Sequence, residues 1–173
     1  MRLRHLAGAG LAALLSACAS LPEAPPALSG RLVVSVAASA TVPAKGFNAA
    51  FDLLGDAQRG RLDLSTPLGP RLGTASWAPG EAVLDDGRTA RRYPDLGSLA
   101  QDLLGERMPL QALPDWLRGR PWPGAPNRAR DDGEAGFEQL GWTIGLARQA
   151  EGFVVAARRA APAATLRVRL LER

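Results

Sequence analysis

The chain has 173 residues, enough for one domain with a real core, and its formal charge at pH 7 is only +4. The basic residues are scattered and, apart from Lys45, are all arginine, with no aromatic stacking platforms among them, so nucleic acid is not an expected partner. The one histidine, His5, and the one cysteine, Cys18, both stand near the start of the chain. Beyond Cys18 there is thus no basis for Ser-His-Asp or Cys-His catalysis, a His/Cys zinc site or a disulfide.

Met1-Arg2-Leu3-Arg4-His5 makes a basic start. Leu6 to Leu15 is an apolar run too short to cross a bilayer, which takes about 20 residues. It ends in Leu15-Ser16-Ala17-Cys18, a small-residue cleavage site followed by cysteine, which resembles the bacterial lipobox. That resemblance implies a lipoprotein signal peptide over residues 1–17 and acylation of Cys18 as the new N-terminus. It also implies sorting to the outer membrane, because Ala19 rather than Asp follows the cysteine. The rival reading is an ordinary secretory signal with an incidental cysteine, but it needs all three features to coincide by chance. Residues 18–27 then form a tether containing Leu21-Pro-Glu-Ala-Pro-Pro-Ala27, semi-extended by its prolines. Residues 28–173 remain for a single domain.

The domain opens with a strand over Leu28–Ala37, which puts Leu32, Val34 and Val36 on one face. Gly46–Leu54 is a second strand with Phe47, Ala49, Phe51 and Leu53 together. Arg61–Ser65 alternates again, and the pattern resumes from Leu72 to Trp77. Between them, Thr66-Pro67-Leu68-Gly69-Pro70 interrupts the ladder, because its prolines lack donors and Gly69 permits a tight reversal. Leu68 is therefore a large apolar side chain at a tip that should be polar. Either it folds back onto the sheet or it is meant to touch something apolar. Glu81–Leu84 and Thr89–Tyr93 make a hairpin around Asp85-Asp86-Gly87.

Leu96, Leu99, Ala100, Leu103 and Leu104 follow helical spacing, with Asp95 or Ser98 as cap and Gly105 as stop. Pro109–Leu117 gathers Leu110, Leu113, Trp116 and Leu117 on one side, and Pro114 must kink or restart it. Arg120–Gly133 reads as loop. Four short strands follow, over Glu134–Leu140, Trp142–Arg148, Phe153–Arg158 and Thr165–Leu171. The expected fold is mainly antiparallel β with a few short helices: a curved, unclosed barrel wrapped around them, which covers one sheet face.

Several segments together resemble the LolB family of outer-membrane lipoprotein receptors. They are Leu62-Asp63-Leu64-Ser65-Thr66-Pro67-Leu68-Gly69, Pro109-Leu110 with Leu113, Trp116-Leu117-Arg118-Gly119, and Phe137-Glu138-Gln139 with Gly141-Trp142. The order matches from Leu28 to Leu171, although Leu53 stands where members often carry Trp and the C-terminus lacks an apolar end. The resemblance implies a LolA/LolB-like half-barrel with an apolar cavity. It implies acceptance of lipoproteins, through their acyl chains, from a LolA-like periplasmic carrier and their insertion into the outer membrane. It further implies that Leu68 is the loop leucine needed for insertion.

Physical chemistry agrees with this reading. Each exposed CH₂ of an acyl chain costs about 0.8 kcal/mol, so a carrier must hide it. Phe51, Leu99, Leu103, Leu113, Trp116 and Leu117 are the candidate cavity residues, although the same spacing packs any core. One leucine in lipid contributes about 1.5–3 kcal/mol, enough to bias docking but not to anchor a protein. No cofactor or metal is expected, nor is catalysis, and the protein is expected to be a monomer. Two rivals stand beside this reading: an outer-membrane assembly lipoprotein that binds a protein partner, and a glycan hydrolase using paired acids such as Asp85-Asp86 or Asp131-Asp132.

Overall fold

The computed structural model describes residues 27–40 and 43–171. The signal peptide, Cys18 and nearly all of the tether lie outside the described residues. Within them the chain forms one antiparallel sheet of eleven strands that does not close on itself. The first six strands are β1 (Leu28–Val36), β2 (Lys45–Gly55), β3 (Gly60–Ser65), β4 (Arg71–Ala78), β5 (Glu81–Asp85) and β6 (Ala90–Tyr93). A helical segment follows: α1 (Leu96–Leu104), a 3-10 turn (Leu110–Ala112) and α2 (Leu113–Leu117). The chain then returns as β7 (Asn127–Ala129), β8 (Gly136–Gln139), β9 (Trp142–Gly145), β10 (Phe153–Arg158) and β11 (Ala164–Leu170). The spatial order is β6-β5-β4-β3-β2-β1-β11-β10-β9-β8-β7, so the first and last strands of the domain meet at its centre.

Alternation decides the two faces. In β1, Leu32, Val34 and Val36 are buried while Arg31, Val33 and Ser35 are exposed. In β2, Ala49, Phe51 and Leu53 continue the same inner face, aligned with β1 through Leu32↔Ala49 and Gly30↔Phe51. Phe137, Ile144, Val154, Ala156, Leu166 and Val168 supply that face on the far half of the sheet. The helices cover it. Asp95 caps α1 through a bond from the Ser98 amide at 2.6 Å, and Gly105 ends it in the left-handed conformation at φ 77°. Pro114 sits in the first turn of α2, where a missing N–H is harmless, so it restarts the helix rather than breaking it.

Two regions differ from the sequence reading. The expected loop over Arg120–Gly133 contains β7, which pairs Asn127 with Gln139 and Ala129 with Phe137. All three β7 residues are exposed, so the strand exists through backbone pairing and leaves no hydrophobic period to read. Trp142–Arg148 is shorter than expected: β9 stops at Gly145, and a 3-10 turn at Gln149–Glu151 leads into β10.

Candidate functional site

The inner wall of the sheet and the helices on it form two apolar clusters. The larger contains Phe51, Leu113, Trp116 and Leu117 among residues of β1, β2 and β8–β11. The smaller packs Leu96 and Leu99 of α1 against Ala75, Ala82 and Leu84. Leu62, Trp77 and Leu110 touch both and join them. The interior is mostly apolar; Asp115 of α2 is buried with its carboxylate accepting from Arg120 Nε at 2.7 Å, and Gln139 is a second buried polar group. Gln139 faces inward from β8, and its Oε1 accepts from Trp116 Nε1 at 2.8 Å and from the Trp122 amide at 2.9 Å. Its Nε2 donates to the Trp122 and Ala125 carbonyls at 2.7 and 2.8 Å. All the bonding capacity of that buried amide is used, and it ties α2 and the following loop to the sheet.

In an antiparallel meander the connections after β1, β3 and β5 lie at one end, together with those after β8 and β10. At this end most of the large exposed apolar side chains gather. Leu68 is 96% exposed, and Phe47, Leu72, Leu103 and Leu140 are each exposed by more than a third. Phe47 follows the inner-face alternation of Ala49 and Phe51, so it looks out through the mouth of the half-barrel. Lys45 Nζ donates to the Leu103 carbonyl at 3.2 Å and fixes the end of α1 there. Glu106 and Arg158 add an ion pair at 3.0 Å between the chain after α1 and β10, with the Arg158 guanidinium 5.5 Å from the Trp142 ring centre.

Leu68 is presented, not merely left out. The Gly69 amide donates to the Thr66 carbonyl at 3.0 Å, and the Thr66 amide to the Pro70 carbonyl at 2.8 Å. Pro67 therefore occupies the second position of a closed turn, and Gly69 takes φ 121°, which a larger residue would rarely adopt. A bulge between Leu64 and Ser65 precedes the turn and re-aims it. Below it, on the outer face, Asp63 accepts from Arg61 Nε at 2.6 Å and from Thr74 Oγ1 at 2.5 Å, with Arg71 at 3.5 Å. The Arg61 bond, with smaller help from Thr74 and Arg71, holds the Asp63 carboxyl well below its usual range, at about 2.

Of the candidate cavity residues, Phe51, Leu99, Leu113, Trp116 and Leu117 are buried on the inner side, Leu99 in the smaller cluster and the rest in the larger. Leu103 differs, being 40% exposed: α1 turns Leu96, Leu99, Ala100 and Leu104 inward, and Leu103 lies at the edge of that face. Leu68 does not fold back onto the sheet. The paired acids serve turns: Asp86 accepts from the Arg88 and Thr89 amides, Asp85 from the Gly87 amide, and Asp132 pairs with Arg130. Sequence reasoning missed Leu140. It holds φ 53° beside Gly141 in a two-residue turn that favours Asn-Gly, and a leucine breaking that preference was the signal.

An arrangement of this kind can shelter hydrocarbon and touch a lipid surface, and comparison with known proteins bears on it. A family model described as outer membrane lipoprotein LolB matches residues 27–171. The outer-membrane lipoprotein LolB of Bordetella petrii is 34% identical over 161 residues, covering 85% of this chain and 79% of that protein. The one from Neisseria meningitidis serogroup A is 32% identical over 165 residues, covering 88% and 81%. The one from Chromobacterium violaceum is 33% identical over 153 residues, covering 82% and 81%.

Proposed function

Because this chain belongs to the LolB family of outer-membrane lipoproteins, receptors in lipoprotein localisation, we infer that its half-barrel takes lipoprotein acyl chains from a LolA-like carrier and that Leu68 delivers them. The observation that carries this is the pairing, at one end of the sheet, of a 96% exposed leucine on a closed turn with the part-exposed Phe47 and Leu103 at the border of an apolar interior. Cys18, acylated, holds the domain on the periplasmic face of the outer membrane. Incoming chains pass Phe47 and Leu103 and replace contacts between the helices and the inner wall. Since both surfaces are apolar, this exchange costs little hydrophobic free energy, and the cargo is not held too tightly to be released.

Delivery follows from the magnitudes. Leu68 inserted into lipid contributes about 1.5–3 kcal/mol, which orients the mouth against the bilayer and leaves anchoring to the acyl groups. The test of acceptance is transfer of a lipoprotein bearing a fluorescent acyl chain from a loaded carrier to the full acylated protein. The expected result is dequenching or energy transfer from Trp116 and Trp142, which lie in the interior. Absence of any transfer from carrier to protein overturns the receptor reading of this chain's interior and leaves a partner-binding outer-membrane lipoprotein.

A further inference from the structure

The outer face of the sheet carries a feature that neither the interior nor the tip uses. Across β1, β11, β10 and β9 runs an open groove of about 1030 Å³. Its floor is small or apolar: Gly145 and Ala157 leave room, and Val33 and Val155 are 44% and 38% exposed. Its acids are already engaged at the β8 side, where Glu138 pairs with Arg128 at 2.5 Å, Asp132 with Arg130 at 2.5 Å, and Asp131 lies 3.7 Å from Arg128. On β1 and β11, and at Arg159 just after β10, the charge is unopposed. Among the described residues, no carboxylate pairs with Arg31, Arg159, Arg167 or Arg169; Arg169 instead lies 5.4 Å from the centre of the Phe153 ring.

The register sharpens this. Arg31 stands directly opposite Arg169, and Val33 opposite Arg167. Like charges directly opposed across an antiparallel pair are destabilising, so the bare sheet carries a cost that an anionic surface would relieve. We propose that this groove docks on the phosphate headgroups of an anionic bilayer, with the arginines taking phosphates through their forked donors and Val33 and Val155 meeting the apolar boundary. The occupant is a membrane because of where the chain enters. β1 begins at Leu28, close before Arg31, and Cys18 lies only about ten residues upstream, a reach of at most about 35 Å. The bilayer that holds the anchor is therefore always within range of the groove. The proposal rests on the Cys18 anchor and is independent of cargo transfer.

The test uses the full acylated chain carrying Thr143→Cys in the groove, labelled with an environment-sensitive fluorophore; acylation of Cys18 leaves this as the single reactive thiol. The protein is reconstituted in phosphatidylcholine vesicles, with or without one third phosphatidylglycerol (a choice of about that proportion gives a surface potential of the physiological kind). The label is expected to be shielded from iodide only on the anionic vesicles, and to be exposed again in high salt. Arg31→Gln/Arg167→Gln/Arg169→Gln is expected to lower the docking equilibrium constant roughly a hundredfold, about fivefold per arginine. Its melting temperature should be unchanged or raised, since opposed charges are removed. Equal shielding on both vesicles, or shielding that survives the triple substitution, overturns the proposal. Shielding that appears only when an acidic carrier protein is added overturns it too, in favour of a protein partner. Failure of the wild type to float with neutral vesicles overturns the anchor itself, and the proposal with it.

Discussion

Proline interrupts a leucine-rich segment both at the Leu68 tip and in α2, and the two places meet opposite fates. In Leu113-Pro-Asp-Trp-Leu117 every residue is buried, whereas in Thr66-Pro-Leu-Gly-Pro70 the leucine is almost bare. Hydropathy does not separate them. What separates them is what the backbone around them bonds to. The tip closes on itself through Thr66, Gly69 and Pro70, beyond the last paired residues of β3 and β4. Around α2, Arg118 just after the helix reaches the Gly55 carbonyl and Trp116 within it reaches Gln139, so the segment is tied to opposite halves of the sheet. A leucine at a self-contained turn is free to serve another surface, and a leucine on a tied segment is core.

The comparison breaks most sharply under Trp116→Ala set beside Leu68→Glu. Trp116→Ala should lower unfolding free energy by about 3–5 kcal/mol, seen as a large fall in denaturant midpoint. Leu68→Glu should leave that midpoint within about 0.5 kcal/mol of wild type, because nothing packs on the side chain. Next in size is Gln139→Leu. It leaves Trp116 Nε1 and the Trp122 and Ala125 backbone groups without their partner, for an expected loss of about 2–3 kcal/mol.

A smaller effect tests how firmly the tip is mounted. With the folded carboxyl of Asp63 held at about 2 against 3.8 in the unfolded chain, its contribution is complete above about pH 4 and fades as pH falls through 2. Discounting for the solvent that still reaches it, we expect Asp63→Asn to cost about 1–2 kcal/mol at pH 7 and little at pH 2. Denaturant titrations at the two pH values check both the size and the sign. Smallest, and of opposite sign, is Leu140→Asn. It relieves a positive φ that asparagine tolerates, and should raise stability by about 1 kcal/mol in the same assay.

Much of this was legible in the sequence because most of the inner wall is made by strict alternation. β1, β2 and β10 could be read to within a residue or two, and α1 announced its Gly105 stop and offered Asp95 as one of two caps. The unreadable parts have physical reasons. β7 has three exposed residues and is held by β8 alone, so no apolar period marks it. Leu103 shares the helical spacing of Leu96 and Leu99, but spacing does not say how wide a stripe of the helix is covered, and the buried side runs through Ala100 and Leu104 instead. Gln139 alternates with Phe137 and thus had to face inward, yet a polar residue there reads as a spacer until Trp116 and the loop after it are seen to converge on it. Leu68 was legible as an anomaly, and the closed turn shows that it does not fold back onto the sheet.

In the proposed function, acceptance and delivery are carried by different parts of the molecule, the interior and the tip. The most direct measurement is two-step transfer from a loaded carrier into outer-membrane vesicles, wild type beside Leu68→Glu. Both proteins are expected to strip the carrier of its lipoprotein, and only the wild type to pass it to the membrane. If Leu68→Glu delivers as well as wild type, the tip has no part in delivery. If it fails already at acceptance, the two steps are not separable in the way the structure divides them.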